Sequence, residues 1–359
     1  QQSVWLFLGV VAMILLYKLK LSVLFSKQMV FLLSYVVIFL LVLTLFFGSE
    51  INGSQGWLIT PLGSIQASEY LKVTMPLYFA VMLGNFQSSI ARRDWRNFHK
   101  VFLVPAISLA LVIIQPDLGN SSIIVLGIIA MILASGIAYR YAYVVLGVII
   151  GLSTIVIESI LLTRGRFIPS LFSYIYVRFQ AMAETFDPVV FRGAGYQLGM
   201  GYIAIYNGGL FGLGLGNSIQ KRGFLPEAHT DFIFNIILEE LGLVGGMFIL
   251  GLVFFLICRM YLVGIRSQSA FNSLASYGMA TMLLLQVFVN VGGVLGLIPS
   301  SGITFPFFSL GGNSLFINCI AVGTVLNISA QEAEIRLNNS IYSAMKPDLA
   351  SSLLVEENF

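Results

Sequence analysis

The sequence predicts an all-α polytopic membrane protein, and three observations carry that prediction. Apolar residues make up 58% of the chain. Charged residues make up only 10%, against about 25% in a soluble domain. Apolar runs of roughly 20 residues, long enough to cross a bilayer as helices, recur from end to end. Membrane lipid is the expected surrounding, and no nucleic-acid partner is expected. Cys258 and Cys319 both fall in apolar runs, which suits small core residues better than a disulfide framework.

Spans are read near 4–24, 29–48, 67–88, 101–116, 120–138, 142–162, 231–257, 271–296 and 308–328. That gives about nine helices, with the two ends on opposite sides. One set of short loops holds Lys18, Lys20, Lys27, Arg92, Arg93, Arg96, Lys100, Arg140, Arg259 and Arg266, and the tail adds Arg336 and Lys346. Basic residues concentrate on the cytoplasmic side, so these loops and the C-terminus are inside. The chain opens at Gln1 almost directly into a span. One further helix is therefore expected ahead of it, for about ten spans with both ends inside. Residues 1–330 read as a single transmembrane domain, and the polar stretch 331–359 as a frayed cytoplasmic tail.

The outer segment 163–230 is too long for a plain connector. It holds Arg164, Arg166, Arg178, Arg192, Lys221 and Arg222, opposed only by Glu184, Asp187 and Glu227. Its aromatic residues, among them Phe167, Phe172, Tyr174, Tyr176 and Phe179, predict short amphipathic helices at the outer interface. The glycine-studded turn 211–216 would let backbone amides approach a ligand closely.

Asp231 is the leading candidate for chemistry. It ends the stretch Glu227-Ala228-His229-Thr230-Asp231 and stands where a long apolar run begins. A first-turn acid that favours the helix N-terminus is one reading. A carboxylate in a half-dry cleft, with a raised pKa and the role of general base, is the other. Glu227, His229 and Thr230 are expected to touch substrate beside it. Glu227, His229 and Asp231 do not match a zinc spacing. A transient Mg²⁺ or Mn²⁺ shared with a substrate phosphate suits them better.

Glu69 and Lys72 lie three apart, on one helix face. They are either a structural ion pair or an anion-binding lysine with an orienting acid. The order Gln115-Pro116-Asp117-Leu118-Gly119 makes a good turn. Glu158, Glu239 and Glu240 sit inside apolar runs, and a structural role is expected for them. The segment 292–314 is rich in glycine, proline and serine. Irregular backbone at membrane depth needs protein or a watery cavity over it, so this segment should wall the cavity beneath Asp231. The residues alone thus predict an outward cavity, cationic walls and one acid, suited to an anionic amphiphile such as a lipid-linked phosphate.

Longer motifs narrow this. Gly208-Gly-Leu-Phe-Gly-x-Gly-Leu-Gly-Asn-Ser-x-Gln-Lys221 is followed by Leu225-Pro-Glu-Ala-His-Thr-Asp-Phe-Ile-Phe234 and Glu239-Glu-Leu-Gly242. With Gln66-x-Ser-Glu-x-x-Lys72, Gln115-Pro-Asp-Leu-Gly119 and Gly302-x-Thr-x-Pro-x-x-Ser-x-Gly-Gly312, they closely resemble the SEDS family of bacterial cell-wall synthesis, over nearly the whole chain. The resemblance favours the division branch over the elongation branch. Two departures stand out: Ser309-Leu-Gly-Gly-Asn313 replaces the usual Ser-Tyr-Gly-Gly-Ser, and Ser301 stands where some members carry lysine.

The resemblance implies ten spans and a peptidoglycan glycosyltransferase that polymerises lipid II at the outer membrane face. It aligns Asp231 with the family's essential acid, as base for the acceptor hydroxyl. Lys72, Arg178, Lys221 and Arg222 become the candidate cations for the pyrophosphate leaving group. It also implies a class B penicillin-binding protein as partner, together with division-complex proteins. A lipid II flippase and a recruiting scaffold are the competing readings. The lack of an internal repeat weighs against the flippase, and the convergence of an acid and a cationic loop weighs against the scaffold.

Overall fold

Helices in this chain meet where glycine removes the side chain between them. The computed structural model describes residues 2–19, 26–51, 54–60, 63–91, 101–136, scattered positions within 143–163, and 173–356. Its helices are α1 (Gln2–Lys18), α2 (Lys27–Phe47), α3 (Ala67–Ala91), α4 (Leu103–Ile114), α5 (Leu118–Ala134), α6 (Ser173–Ala183), α7 (Pro188–Phe191), α8 (Tyr196–Gly208), α9 (Ile233–Arg266), α10 (Ala270–Val294) and α11 (Gly312–Glu356). Four segments among the described residues are long and apolar enough to cross a membrane: Lys27–Phe47, Ile233–Arg266, Ala270–Val294 and Gly312–Ser340. α1, α4 and α5 are apolar and shorter. The span read at 142–162 lies largely outside the described residues, as do Lys20, Arg92, Arg93, Arg96, Lys100, Arg140, Arg164 and Arg166.

The bundle centres on α3 and α10. Leu71, Phe79 and Leu83 of α3 are fully buried, as is Ala275 of α10. α10 also packs on α5, α9 and α11, and α1 lies along α11. A Cβ on Gly278 would come within 2.6 Å of Met131 Sδ and 2.9 Å of Pro76 Cβ. One on Gly323 would come within 2.8 Å of the Met13 backbone. Apolar lipid gives helices no hydrophobic reason to associate, so close backbone approach at small residues supplies the packing. Polar side chains add to it: Asn327 of α11 donates to the carbonyls of Leu16 and Leu19, closing the end of α1.

Between the spans read at 29–48 and 67–88 the chain forms an antiparallel sheet. Strands β1 (Ser49–Ile51), β2 (Ser54–Thr60) and β3 (Gly63–Gln66) pair in the order β1-β2-β3. The signal was present: Trp57-Leu-Ile-Thr60 is rich in strand formers, and a Pro-Leu-Gly turn follows it. The last helix also runs on to Glu356 instead of fraying after residue 330. Between Gly323 and Pro347 the sequence has no glycine or proline to stop it. The loop 163–230 holds the expected short helices, α6, α7 and α8.

The glycine turn 211–216 makes a close backbone approach to the chain itself. It packs on α9, where Gly242 leaves the helix at φ 70°. Leu213 N and Gly214 N donate to the carbonyls of Glu239 and Glu240, and Leu243 N and Val244 N donate back to Gly209 and Leu210. A Cβ on Gly242 would lie 2.3 Å from the Leu210 carbonyl oxygen. Gly242→Ala therefore adds a backbone clash to an unfavourable dihedral, whereas Gly216→Ala (φ 83°) meets open space. Thermal unfolding in detergent should show Gly242→Ala destabilised by about 2 kcal/mol or more and Gly216→Ala by about 1 kcal/mol. Equal effects would show that the loop does not pack on the kink.

Candidate active site

Irregular segments converge on one cavity of about 350 Å³, within the range of about 300–1,000 Å³ usual for ligand sites. The turn 227–231 ahead of α9 forms one wall. The loop between α10 and α11 forms the second, as its glycine, proline and serine content predicts. The 116–119 turn, the β2–β3 hairpin and residues of α1, α3 and α6 complete the lining.

α10 holds the first two walls together. The Asn290 carboxamide donates to the Asp231 carbonyl at 2.7 Å and to the Ile303 carbonyl at 2.6 Å. One helical turn earlier, Gln286 donates to the Thr304 carbonyl at 3.1 Å and to Ser314 Oγ at 2.8 Å. Ser309 Oγ donates to the Thr230 carbonyl at 2.5 Å and accepts from Phe305 N at 2.7 Å. Leu310 N donates to the His229 carbonyl at 2.7 Å. Leucine at 310 therefore serves the wall through its backbone. Asn313, the other departure in that motif, donates to the Ser64 carbonyl and fastens the hairpin to α11. Ser301 Oγ is buried at the wall without a hydrogen-bond partner among the described residues.

Asp231 stands just outside α9, and the residue at the cap position is Phe232, with no side-chain cap hydrogen bond. Asp231 is therefore not an acid of the first turn, which begins at Ile233. Its Oδ1 meets Thr230 Oγ1 at 3.0 Å, and the same hydroxyl lies 2.6 Å from Glu227 Oε2. One hydroxyl proton cannot serve two ionised carboxylates, so both contacts are satisfied only when one carboxyl is protonated. Desolvation pushes the Asp231 carboxyl up from 3.8 to about 6, with Thr230 pulling it back in part and the Glu227 charge adding to the rise. Among the described residues Asp231 forms no ion pair. Glu227 holds a left-handed backbone, φ 53°, of the kind that collects at functional turns.

The other predicted residues divide. Glu69, Arg178, Glu227 and Thr230 line the cavity with Asp231. Lys72, Lys221, Arg222 and His229 do not. Lys72 Nζ lies 2.7 Å from Glu69 Oε1, and both residues are 3% exposed. Glu69 Oε2 is buried with no hydrogen-bond partner among the described residues. Lys221 pairs with Glu240, and Arg222 is exposed. Glu239, fully buried, accepts from Asn207 at 3.1 Å, from Gln220 N at 3.2 Å and from Ser218 Oγ. Glu239 and Glu240 thus anchor the 218–222 segment to α9, the structural role expected of them. Glu158 is exposed, not buried. Arg178 donates to the Ser300 carbonyl at 2.9 Å and sits over the Tyr174 ring at 5.1 Å. Tyr174 in turn donates to the Pro116 carbonyl at 2.8 Å.

Asp117 does more than make a turn. Its carboxylate accepts from Gln66 at 3.1 Å, Ser68 at 2.7 Å and the Asn120 side chain at 3.0 Å, and caps α5 through Asn120 N at 3.2 Å. It thereby ties β3, α3 and α5 together under the cavity. Sequence reasoning missed this role and missed Asn290 and Gln286. Two amides four apart in an apolar run share a helix face, and that was the available signal. No group of three or more His, Cys, Asp or Glu side chains arranged to hold a metal occurs among the described residues.

Known proteins resemble this chain in sequence and fold. The chain matches the family described as cell cycle protein, FTSW_RODA_SPOVE, over residues 1–334. It is 40% identical, over an alignment of 368 residues, to the probable peptidoglycan glycosyltransferase FtsW of Lactococcus lactis subsp. lactis, covering 96% of this chain and 87% of that protein. A chain of a peptidoglycan synthase complex that coordinates polymerization and crosslinking superposes with a TM-score of 0.74 at 26% identity, covering 92% of this chain and 89% of that one. The rod shape determining protein RodA of Thermus thermophilus superposes with a TM-score of 0.64 at 27% identity, covering 92% and 87%. With its family match extending over 1–334 and its fold shared with both solved structures, this chain belongs to the FtsW/RodA/SpoVE family.

Proposed function

We infer that this chain is a peptidoglycan glycosyltransferase of the FtsW type, which polymerises lipid II into glycan strands for septal wall synthesis. The observation that carries the mechanism is the Asp231 carboxyl: desolvated, free of any ion pair among the described residues and open to the cavity. A carboxylate with a pKa near the working pH is suited to take a proton.

That placement supports the following reaction. Asp231 takes the proton from the 4-hydroxyl of the acceptor's N-acetylglucosamine. The oxygen forms a bond to C1 of the donor N-acetylmuramic acid, with inversion. The bond from C1 to the pyrophosphate oxygen breaks, and undecaprenyl pyrophosphate leaves with that electron pair. Arg178 is the cavity cation placed to meet the developing charge. Lys72 acts through Glu69, whose charge it offsets. Mg²⁺ or Mn²⁺ commonly binds one or two carboxylates together with substrate phosphate. Glu227 and Asp231, the carboxylates of the 227–231 turn that line the cavity, would hold such an ion, which would supply further charge neutralisation. The charge pattern of the loops supports a cavity on the outer face of the membrane. The likeness to a chain of a peptidoglycan synthase complex supports a class B penicillin-binding protein as partner, and the FtsW likeness supports division-complex proteins beyond it.

The test is polymerisation of labelled lipid II by the purified chain with a transpeptidase that has no glycosyltransferase domain of its own. Asp231→Asn should slow polymerisation by about 10²–10⁴ while the complex still forms. Full glycan synthesis by that variant would remove Asp231 from the mechanism. A flippase would transport lipid II and polymerise nothing.

The same substitution has a stability consequence of definite sign. Burial raises the carboxyl above its unfolded value, so the folded protein holds this proton more tightly. Its contribution to stability is present at low pH and is lost as pH rises from about 4 to about 6. At pH 7 the melting temperature of Asp231→Asn should therefore equal or exceed that of the wild type. A large drop would show that the carboxylate is structural.

Asn290→Leu removes both donors and leaves the carbonyls of Asp231 and Ile303 unsatisfied. It should cost about 1–3 kcal/mol of stability and at least tenfold in kcat, since a displacement of about 1 Å in a catalytic group can cost 10²-fold. Wild-type kcat in a folded Asn290→Leu protein would show that the turn holds itself.

A further inference from the structure

A pyrophosphate carries more than one negative charge, and the cavity offers it little cationic help. Among the described residues that line it, Arg178 is the one cationic side chain. Lys72, Lys221 and Arg222 lie elsewhere, and Arg178 shares the lining with Glu69, Asp117, Glu227 and Asp231. An anion bound in such a cavity needs further donors, and these must come from uncharged groups.

α11 brings its N-terminal end to the cavity. Gly311, Gly312, Asn313 and Ser314 all line it. The first hydrogen bond of the helix runs from Leu315 N to the Gly311 carbonyl at 2.9 Å. The amides of Gly312, Asn313 and Ser314 precede that bond, and they donate to no backbone carbonyl among the described residues. A helix end in this state carries roughly half a positive charge, and its free amides suit phosphate oxygens. The approach to the helix is also bonded to the turn that carries Asp231. Leu310 N donates to the His229 carbonyl, and Ser309 Oγ donates to the Thr230 carbonyl.

A second, independent observation singles out Ser314, which is 6% exposed. Its Oγ accepts from Gln286 Nε2 at 2.8 Å and from Thr304 Oγ1 at 2.8 Å. A hydroxyl has two lone pairs and one proton. Both lone pairs are used, and the proton has no acceptor among the described residues. Reversing the bond between the two hydroxyls only passes the free proton to Thr304. That residue lines the same cavity, and its Oγ1 otherwise meets the donor Gln286 Nε2, at 3.3 Å. Gln286 thus turns this buried hydroxyl pair into a donor with nothing in the protein to receive it. The Asn313 side chain is spent elsewhere, on the Ser64 carbonyl.

We propose that the N-terminus of α11 and the Ser314 hydroxyl bind the pyrophosphate of the polyprenyl-linked donor and hold it as the leaving group. The inference rests on the glycosyltransferase reading above and supplies the donors that Arg178 alone does not. When the bond from C1 breaks, its electron pair stays on a pyrophosphate oxygen. Amides and a hydroxyl already fixed by α10 and α11 meet that charge without reorganising.

The test uses the full chain in complex with its transpeptidase partner. The probe is undecaprenyl pyrophosphate in detergent, with binding read by calorimetry and with lipid II polymerisation and melting temperature read alongside. Ser314→Asp is the decisive variant. Its carboxylate still accepts from Gln286 and Thr304, and an acid in the first turn favours a helix N-terminus. Its melting temperature should therefore match or exceed that of the wild type. It also sets a like charge against the anion, so binding should weaken on the order of a hundredfold, and polymerisation should fall with it. Ser314→Ala should weaken binding on the order of tenfold, and Ser314→Thr should restore most of the affinity. Inorganic pyrophosphate should compete with the probe, and undecaprenol should not. Wild-type affinity and polymerisation in folded Ser314→Asp, beside an active wild type, would overturn the pyrophosphate site alone. Competition by undecaprenol with none by pyrophosphate would overturn it as well. A wild type that binds the probe through Ser314 but polymerises no lipid II would overturn the glycosyltransferase reading and leave the pyrophosphate site standing.

Discussion

The site depends on one amide side chain. Asn290 has two carboxamide hydrogens, and each goes to a backbone carbonyl in a different loop: Asp231 before α9 and Ile303 after α10. Irregular backbone within a membrane protein has no lipid partner and must be satisfied internally. The clamp does this and, in the same contacts, fixes the position of the candidate base. Gln286 repeats the arrangement one turn away, at Thr304 and Ser314. The candidate base, on a loop, is thus held by a helix that is itself packed against α3, α5 and α9.

The acids of this chain separate by how they are satisfied. Glu69, Glu239 and Glu240 each meet a cation or several donors. Asp117 accepts from three side chains and a backbone amide. Among the described residues the Asp231 carboxyl meets one side-chain donor, the Thr230 hydroxyl, which it shares with Glu227. An under-satisfied carboxyl is costly as a structural part, and a carboxyl left in that state at a cavity is suited to exchange a proton. The uneven distribution of partners, more than the presence of acids, marks the site.

Much of this was legible from residues. A carboxylate at the mouth of a long apolar run singled out Asp231, and glycine, proline and serine in 292–314 identified the opposite wall. The charge-poor composition fixed the fold class. Other features depend on contacts between segments far apart in sequence. Lys221 reads as a free loop cation until the loop folds back on α9 and pairs it with Glu240. Glycines at 212, 214 and 216 announce close backbone approach, but not that the approaching partner is the kink at Gly242. Asn290 and Gln286 look like minor interruptions of an apolar helix, because their partners are backbone carbonyls that no side-chain pattern reports. The β2–β3 hairpin was readable from its strand formers and its turn, and helix periodicity on either side drew attention away from it.

The most direct measurement is the pH dependence of kcat/KM for lipid II polymerisation by the complex. A base held at about 6 by desolvation must lose its proton before it can act. The account predicts that activity climbs with pH through an acid limb centred near pH 6, and that this limb is absent from the residual activity of Asp231→Asn. A profile flat from about pH 5 to 8, or an unchanged limb in the variant, would contradict it.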